Sequence, residues 1–236
     1  CIIGGATIYT AALPHVTTLH ITEVDQAANG DTYFPPLADG EWGVDRRHRK
    51  AYLDSHLTGT VSLGLDGPMA TWLGWMAPHD APITLLGEDR AQVAQAQREL
   101  VRIGVDHVVA AATGEPGDLA DAAQLAGLPS ASFADLAAEL SGRRVADLPP
   151  AQVVLDVRLG TEWAASHVRG AVHVPLPELD ARLAEVPDGA VWVHCGSGYR
   201  ATAAASLLAR AGRTVVVIDD MFDDAADAGV PLTPTS

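Results

Sequence analysis

The sequence is poor in cysteine and almost devoid of lysine. Only Cys1 and Cys195 occur in 236 residues, so no disulfide framework can brace the fold. A reactive thiol in an acidic chain without a disulfide pattern fits a reducing compartment, and the expected location is the cytoplasm. Lysine occurs once, at Lys50, while alanine is abundant and arginine carries the positive charge. That composition suits a high-GC bacterial genome and says nothing about function. The formal net charge is -15, which argues against nucleic acid and anionic membrane as partners. No uninterrupted apolar run is long enough to cross a bilayer, and no signal peptide is evident. No His-x-His-x-Asp-His zinc cluster occurs, and the residues call for no metal and no cofactor. Hydrophobic residues make up 48% of the chain, enough to bury one large core or two small ones.

What is present centres on one stretch. Val191-Trp192-Val193 is a short apolar run of strand type, and Ala201 to Ala211 is strongly helix-prone with Gly212 as its stop. Between them lies His194-Cys195-Gly196-Ser197-Gly198-Tyr199-Arg200. The two glycines let the backbone turn sharply and aim N–H groups inward. A cysteine at the mouth of a helix N-terminus, among amide donors and near Arg200, is set to be held as a thiolate. The plainer reading is a buried structural cysteine beside a strand-to-helix turn. From Cys195 to Arg200 the loop spans six residues. Cysteine phosphatases use a cradle one residue longer, wide enough for phosphate, whereas this shorter loop suits a single sulfur atom carried on the cysteine.

Cys195-Gly196-Ser197-Gly198-Tyr199-Arg200 resembles the active-site loop of the rhodanese (thiosulfate sulfurtransferase) family. The resemblance implies that Cys195 carries a persulfide. It makes Gly196, Ser197, Gly198, Tyr199 and Arg200 the residues around the bound sulfur, with Arg158 as a second cation for an anionic donor. Trp192 and Tyr199 are either pocket walls or core.

A repeat supports this. Val44 to Leu63 aligns without gaps on Leu155 to Val174 at a constant offset of 111 residues, Asp45 against Asp156. Both copies share Asp-x-Arg, an aromatic, then Ser-His-x-x-Gly, which resembles the start of a rhodanese domain. A strand thus delivers Asp156 and Arg158 to its C-terminal end, where α/β sheets place ligands. Asp156 and Arg158 read either as an ion pair fixing the loop or as substrate contacts. His167 reads as a turn-holding residue rather than a base. In the first copy Gly87 falls where Cys195 does. The loop there, with Glu88 and Asp89, is about two residues shorter and has no thiol. That copy is expected to be inactive and to serve packing or pocket-walling. In Met69 to Met76, Trp72, Trp75 and Met76 lie at helical spacing and suggest core or a domain interface.

The expected fold is α/β, with two rhodanese-like domains, each a mostly parallel sheet with helices on both faces. The boundaries are 43–113 for the inactive copy, 114–149 for a linker with short helices, and 150–236 for the active copy. Ser132 with Asp135 marks a helix start, Pro175 to Leu183 a turn and helix, and Thr214 to Ile218 a strand. Residues 1–42 differ from the rest. Ile2-Ile3-Gly4-Gly5 and Leu19-His20-Ile21-Thr22 resemble the C-terminal third of dihydrofolate reductase. That resemblance implies Gly4 and Gly5 near an NADPH pyrophosphate and Thr22 near the folate site. The match covers about forty residues and omits that family's catalytic carboxylate. Taken over 44–234, the tandem pattern is similar to the C-terminal modules of metallo-β-lactamase-fold proteins, which implies a hydrolase domain or persulfide dioxygenase of that fold as a partner.

The favoured function is a sulfurtransferase that takes a sulfane sulfur from thiosulfate or a small persulfide and passes it to a thiol acceptor. The alternative is a non-catalytic regulatory or interaction module. A phosphatase is disfavoured by loop length, and a remnant reductase by the missing part of that fold.

Overall fold

A computed structural model describes residues 37–233; the readings of Gly4, Gly5 and Thr22 lie outside the described residues. The chain order is β1 Trp42–Asp45, α1 Arg49–Asp54, β2 His56–Leu57, β3 Val61–Ser62, α2 Met69–Met76, β4 Ile83–Gly87, α3 Arg90–Arg102 and β5 Val108–Thr113. It continues through α4 Pro116–Leu119, β6 Leu125–Ala126, β7 Ser130–Ala131, α5 Phe133–Leu140, β8 Val153–Asp156, α6 Gly160–Ala165 and β9 Val172–His173. It ends with β10 Val191–His194, α7 Tyr199–Arg210 and β11 Val215–Ile218.

Two parallel sheets result, ordered β3-β1-β4-β5 and β7-β11-β10-β8-β9. Strands such as Val-Trp-Val-His and Val-Val-Val-Ile are buried throughout and mostly apolar because both faces are covered. The two sheets share a register. Asp45 lies opposite Leu86 as Asp156 lies opposite His194, so Gly87 takes the place of Cys195 one residue further on. The first loop is one residue shorter, not two, because α3 begins at Arg90 and α7 at Tyr199.

The stretch 114–149 is not a free linker. Within it β6 pairs antiparallel with β2, while β7 extends the second sheet beside β11. Helix α5 buries Phe133 and Leu136 among Val154, Trp192, Val216 and Ile218 on one face of that sheet. Ser132 caps α5 by accepting from Asp135 N–H at 3.2 Å. The expected helix after Pro175 is replaced by two 3-10 turns, Leu176–Glu178 and Leu183–Glu185.

The opposite face of the second sheet carries α7. Its small residues Ala201, Ala203, Ala204 and Ala205 are all fully buried, which lets the helix lie close between two sheets. Ser62 N–H, on β3 of the first sheet, donates to Ser206 Oγ at 3.2 Å. Leu63, Met69 and Leu73 share one continuous core with Leu176, Val193 and Leu207. Trp72 and Met76 are buried as expected of a packing face, while Trp75 is exposed. At its far end α7 stops on Gly212, whose φ is +77°. Gly212 N–H donates to Ala209 O and Arg213 N–H to Leu208 O, both at 2.9 Å, closing the last turn.

Candidate active site at Cys195

Strand β10 ends at His194 and delivers Cys195 to the C-terminal edge of the second sheet. The chain then turns through Gly196, Ser197 and Gly198 into α7. Gly198 sits at φ +90°, and a Cβ there would collide with the Asp219 carboxylate, so both backbone conformation and space demand glycine. At Gly196 a Cβ would come within 3.1 Å of Arg200 Nη2; its absence lets the guanidinium approach the loop. Cys195 is free and 1% exposed, and its Sγ accepts from Ser197 N–H at 3.5 Å. The sulfur therefore lies beneath the loop, at the positive end of a twelve-residue helix.

The charged groups around it are paired. Arg200 gives Nη1 to Glu162 Oε2 at 2.6 Å and Nη2 to Oε1 at 2.8 Å. The hydrogen-bonded Glu162 carboxylate raises the Arg200 pKa above its ordinary value, and the same pairing lowers that of Glu162. Arg158 gives Nε to Asp156 Oδ1 at 3.0 Å, Nη2 to Asp156 Oδ2 at 2.6 Å and Nη2 to Ser166 O at 2.7 Å. Its guanidinium lies 3.6 Å over the Phe222 ring. Arg47 repeats this in the first sheet, with Nη2 to Asp45 Oδ2 at 2.7 Å and to Ser55 O at 2.7 Å. In each half, therefore, the Asp-x-Arg pair ties a strand end to the turn that follows the next helix.

His167 Nδ1–H faces Trp163 O at 3.0 Å and its ring stacks on Trp163 at 3.6 Å. His56 does the same with Tyr52, at 2.8 Å and 3.9 Å. Both histidines hold turns. Tyr199, expected beside the bound sulfur, faces the other way. Its ring is buried against Gly67 and its hydroxyl donates to Gly64 O at 3.4 Å, because α7 begins at Tyr199 and turns that side chain toward the first sheet. Burial raises its pKa. Trp192 is core on the face opposite Cys195, with Nε1–H donating to Pro149 O at 3.0 Å.

An open cleft of about 400 Å³ borders the loop at Gly196, lined by Arg158, Glu162, Ala165, Ser166, Phe222 and Asp223. Phe222 N–H donates to Gly196 O at 3.0 Å and pins the loop to the turn after β11. From the start of α1, Arg49 Nε donates to Asp219 Oδ1 at 2.8 Å, and Nη1 pairs with Asp66. In the first half the equivalent place is filled: Gln92 Oε1 accepts from Glu88 N–H at 2.9 Å and would lie 2.9 Å from a Cβ at Gly87.

Three residues escaped the reading of the sequence. Glu162 is the helix-start acid between Arg158 and His167, and its place in that motif was its signal. Asp219 directly follows β11 and carries no motif of its own. His194 is fully buried, stacked 5.5 Å from Phe222, and neither ring nitrogen finds a hydrogen-bond partner among the described residues. Its signal was a histidine closing an apolar strand. Burial pushes its pKa down to about 4, with Arg158 acting in the same direction and Asp156, at 3.6 Å, opposing it.

Among the described residues no group of side chains forms a metal site, and no helix is long and apolar enough to cross a membrane.

Comparison with known proteins finds two family models in the chain, and the dihydrofolate reductase match reaches to residue 58, past the boundary expected at residue 42. Residues 134–226 match the family model for a Rhodanese-like domain, and residues 1–58 that for dihydrofolate reductase. Thiosulfate sulfurtransferase PspE of Escherichia coli is 37% identical over 65 residues, which is 26% of this chain and 62% of that protein. Dihydrofolate reductase of Neisseria gonorrhoeae is 49% identical over 41 residues, 17% of this chain and 25% of that protein. The chain thus spans about a quarter of the dihydrofolate reductases it matches. A solved thiosulfate sulfurtransferase of Pseudomonas aeruginosa aligns at 21% identity and a TM-score of 0.36, covering 83% of this chain and 41% of that one. By these matches residues 134–226 are similar to a Rhodanese-like domain, and the segment before them is similar in part to dihydrofolate reductase.

Proposed function

We propose that this protein is a sulfurtransferase in which Cys195 carries the sulfur as a persulfide. The observation that carries the reading is the placement of a free cysteine directly before a glycine-formed loop at the N-terminus of α7, with a backbone N–H already directed at its sulfur. The Cys195 thiolate attacks the sulfane sulfur of a donor. A bond forms between the two sulfurs, the donor's own sulfur bond breaks, and the donor fragment leaves with that electron pair; from thiosulfate the fragment is sulfite. The amides of the loop and the helix dipole stabilise the terminal sulfur anion. An acceptor thiolate or cyanide then attacks that outer sulfur, and Cys195 departs as the thiolate. No net oxidation occurs.

Gly196 and Gly198 shape the loop, Ser197 supplies an amide, Asp156 and Arg158 fix the strand ends, and His167 holds the turn. Residues 43–113 serve as a second rhodanese-like copy without a thiol, whose β3 and Gly64–Gly67 stretch backs α7. The paired geometry of Asp45, Arg47 and His56 supports that assignment.

The test is turnover. Incubation with a sulfane donor and cyanide should yield thiocyanate catalytically, and Cys195→Ser should abolish it. Turnover that persists in Cys195→Ser would remove Cys195 from the chemistry. A folded wild-type protein that accepts no sulfur would leave a docking module as the better account.

A further inference from the structure

The cations at the loop are already held. Glu162 takes both terminal nitrogens of Arg200, Asp156 takes Nε and Nη2 of Arg158, and Asp219 with Asp66 takes Arg49. The cleft that meets the loop also carries Asp223, an exposed carboxylate with no ion-pair partner among the described residues. Its remaining surface includes Ala165 and Phe222, which are apolar.

We infer that Glu162 is a specificity-determining residue, which by holding both terminal nitrogens of Arg200 fits the site to organic persulfides rather than to thiosulfate. The inference rests on the Cys195 persulfide reading above. A thiosulfate dianion entering this cleft meets Glu162 and Asp223 and no uncommitted guanidinium. To gain Arg200 it must break the two-bond pair and leave the Glu162 carboxylate alone in a half-buried place. An organic persulfide brings its sulfane sulfur on a carbon chain that Ala165 and Phe222 can receive. Its reaction is balanced without further reagents: the Cys195 thiolate bonds to the outer sulfur of R–S–SH, the S–S bond breaks, and R–S⁻ leaves, giving the Cys195 persulfide. A chain that ends in an ammonium is the best match, because Asp223 is available to it.

The experiment measures the rate of one-sulfur mass gain on Cys195 with two donors, thiosulfate and cysteamine persulfide, in the wild-type protein and in Glu162→Gln. The wild type is expected to load faster from cysteamine persulfide. Its rate with thiosulfate should rise with added salt, since screening weakens repulsion. Glu162→Gln keeps the shape of Glu162 and an acceptor for Leu159 N–H, so α6 keeps its start. It frees the charge of Arg200 and should raise loading from thiosulfate about tenfold relative to cysteamine persulfide, the change expected when one nearby unit charge is unmasked. A purely structural role for Glu162 would slow both donors alike. Equal loading of the wild type by both donors, a thiosulfate rate that falls with salt, or an unchanged donor ratio in Glu162→Gln would overturn the inference. A wild-type thiosulfate rate that falls with salt, or equal loading by the two donors, overturns the inference even if the variant folds poorly. Failure of the wild type to load from either donor would instead defeat the sulfurtransferase reading itself.

Discussion

Acid should weaken this fold through one buried ring. His194 is fully enclosed between Phe133 and Phe222 and lies 3.6 Å from Asp156. Its pKa is 6.5 when free and about 4 in the fold. Between those values the unfolded chain holds a proton that the folded chain does not. The stability from this group is therefore complete above pH 6.5 and is lost as pH falls toward 4. From pH 7.5 to pH 5 the loss from this group is about 2 kcal/mol. For a chain of this size that corresponds to a fall in Tm of about 4–8 °C. Burial also lowers the pKa of His56, so the first half adds a loss of the same sign. The variant His194→Phe keeps a ring in the stack and removes the titration. Thermal unfolding followed by circular dichroism at pH 7.5 and pH 5 should show a smaller acid shift for His194→Phe than for the wild type. Identical shifts for the two proteins would refute the assignment of the effect to His194.

Other perturbations have distinct signatures. Gly198→Ala forces a Cβ onto Asp219 at φ +90°; unfolding should shift down by about 1–3 kcal/mol or more, and sulfur loading should fall with it. Gly87→Cys in a Cys195→Ser background should not create a carrier, because Gln92 Oε1 lies 2.9 Å from the new Cβ and binds Glu88 N–H; a persulfide found at residue 87 by peptide mass mapping would contradict this. Leu73→Ala empties a fully buried position in the core shared by the two sheets. It should cost about 2–5 kcal/mol in chemical denaturation, and loss of the α7 backing should slow sulfur loading as well.

The parts of this structure that were legible in the sequence are those written in local pattern. The apolar Val191–Val193 run, the Cys195–Arg200 loop, the alanine-rich helix and the Gly212 stop each carry their own signal over a few residues. The offset repeat pairs Asp45 with Asp156 and His56 with His167, and the two pairs share their hydrogen-bond geometry. The parts that were not legible depend on contacts between distant segments. Ser130–Ala131 is too short and too small to announce a strand, and only the edge of β11 makes it one. The direction of Tyr199 follows from where the first sheet packs, which the loop motif does not encode. The neutralisation of Arg200 by Glu162 joins residues 38 positions apart, and sequence alone presented Arg200 as a free cation.

The most direct measurement is the intact mass of the protein after brief incubation with a sulfane donor and removal of the excess, for the wild type and for Cys195→Ser. The variant retains Cys1 as an internal control. The account predicts a gain of one sulfur atom on the wild type only, reversed by cyanide. An equal gain on Cys195→Ser, or none on a folded wild type with either thiosulfate or cysteamine persulfide, would contradict it.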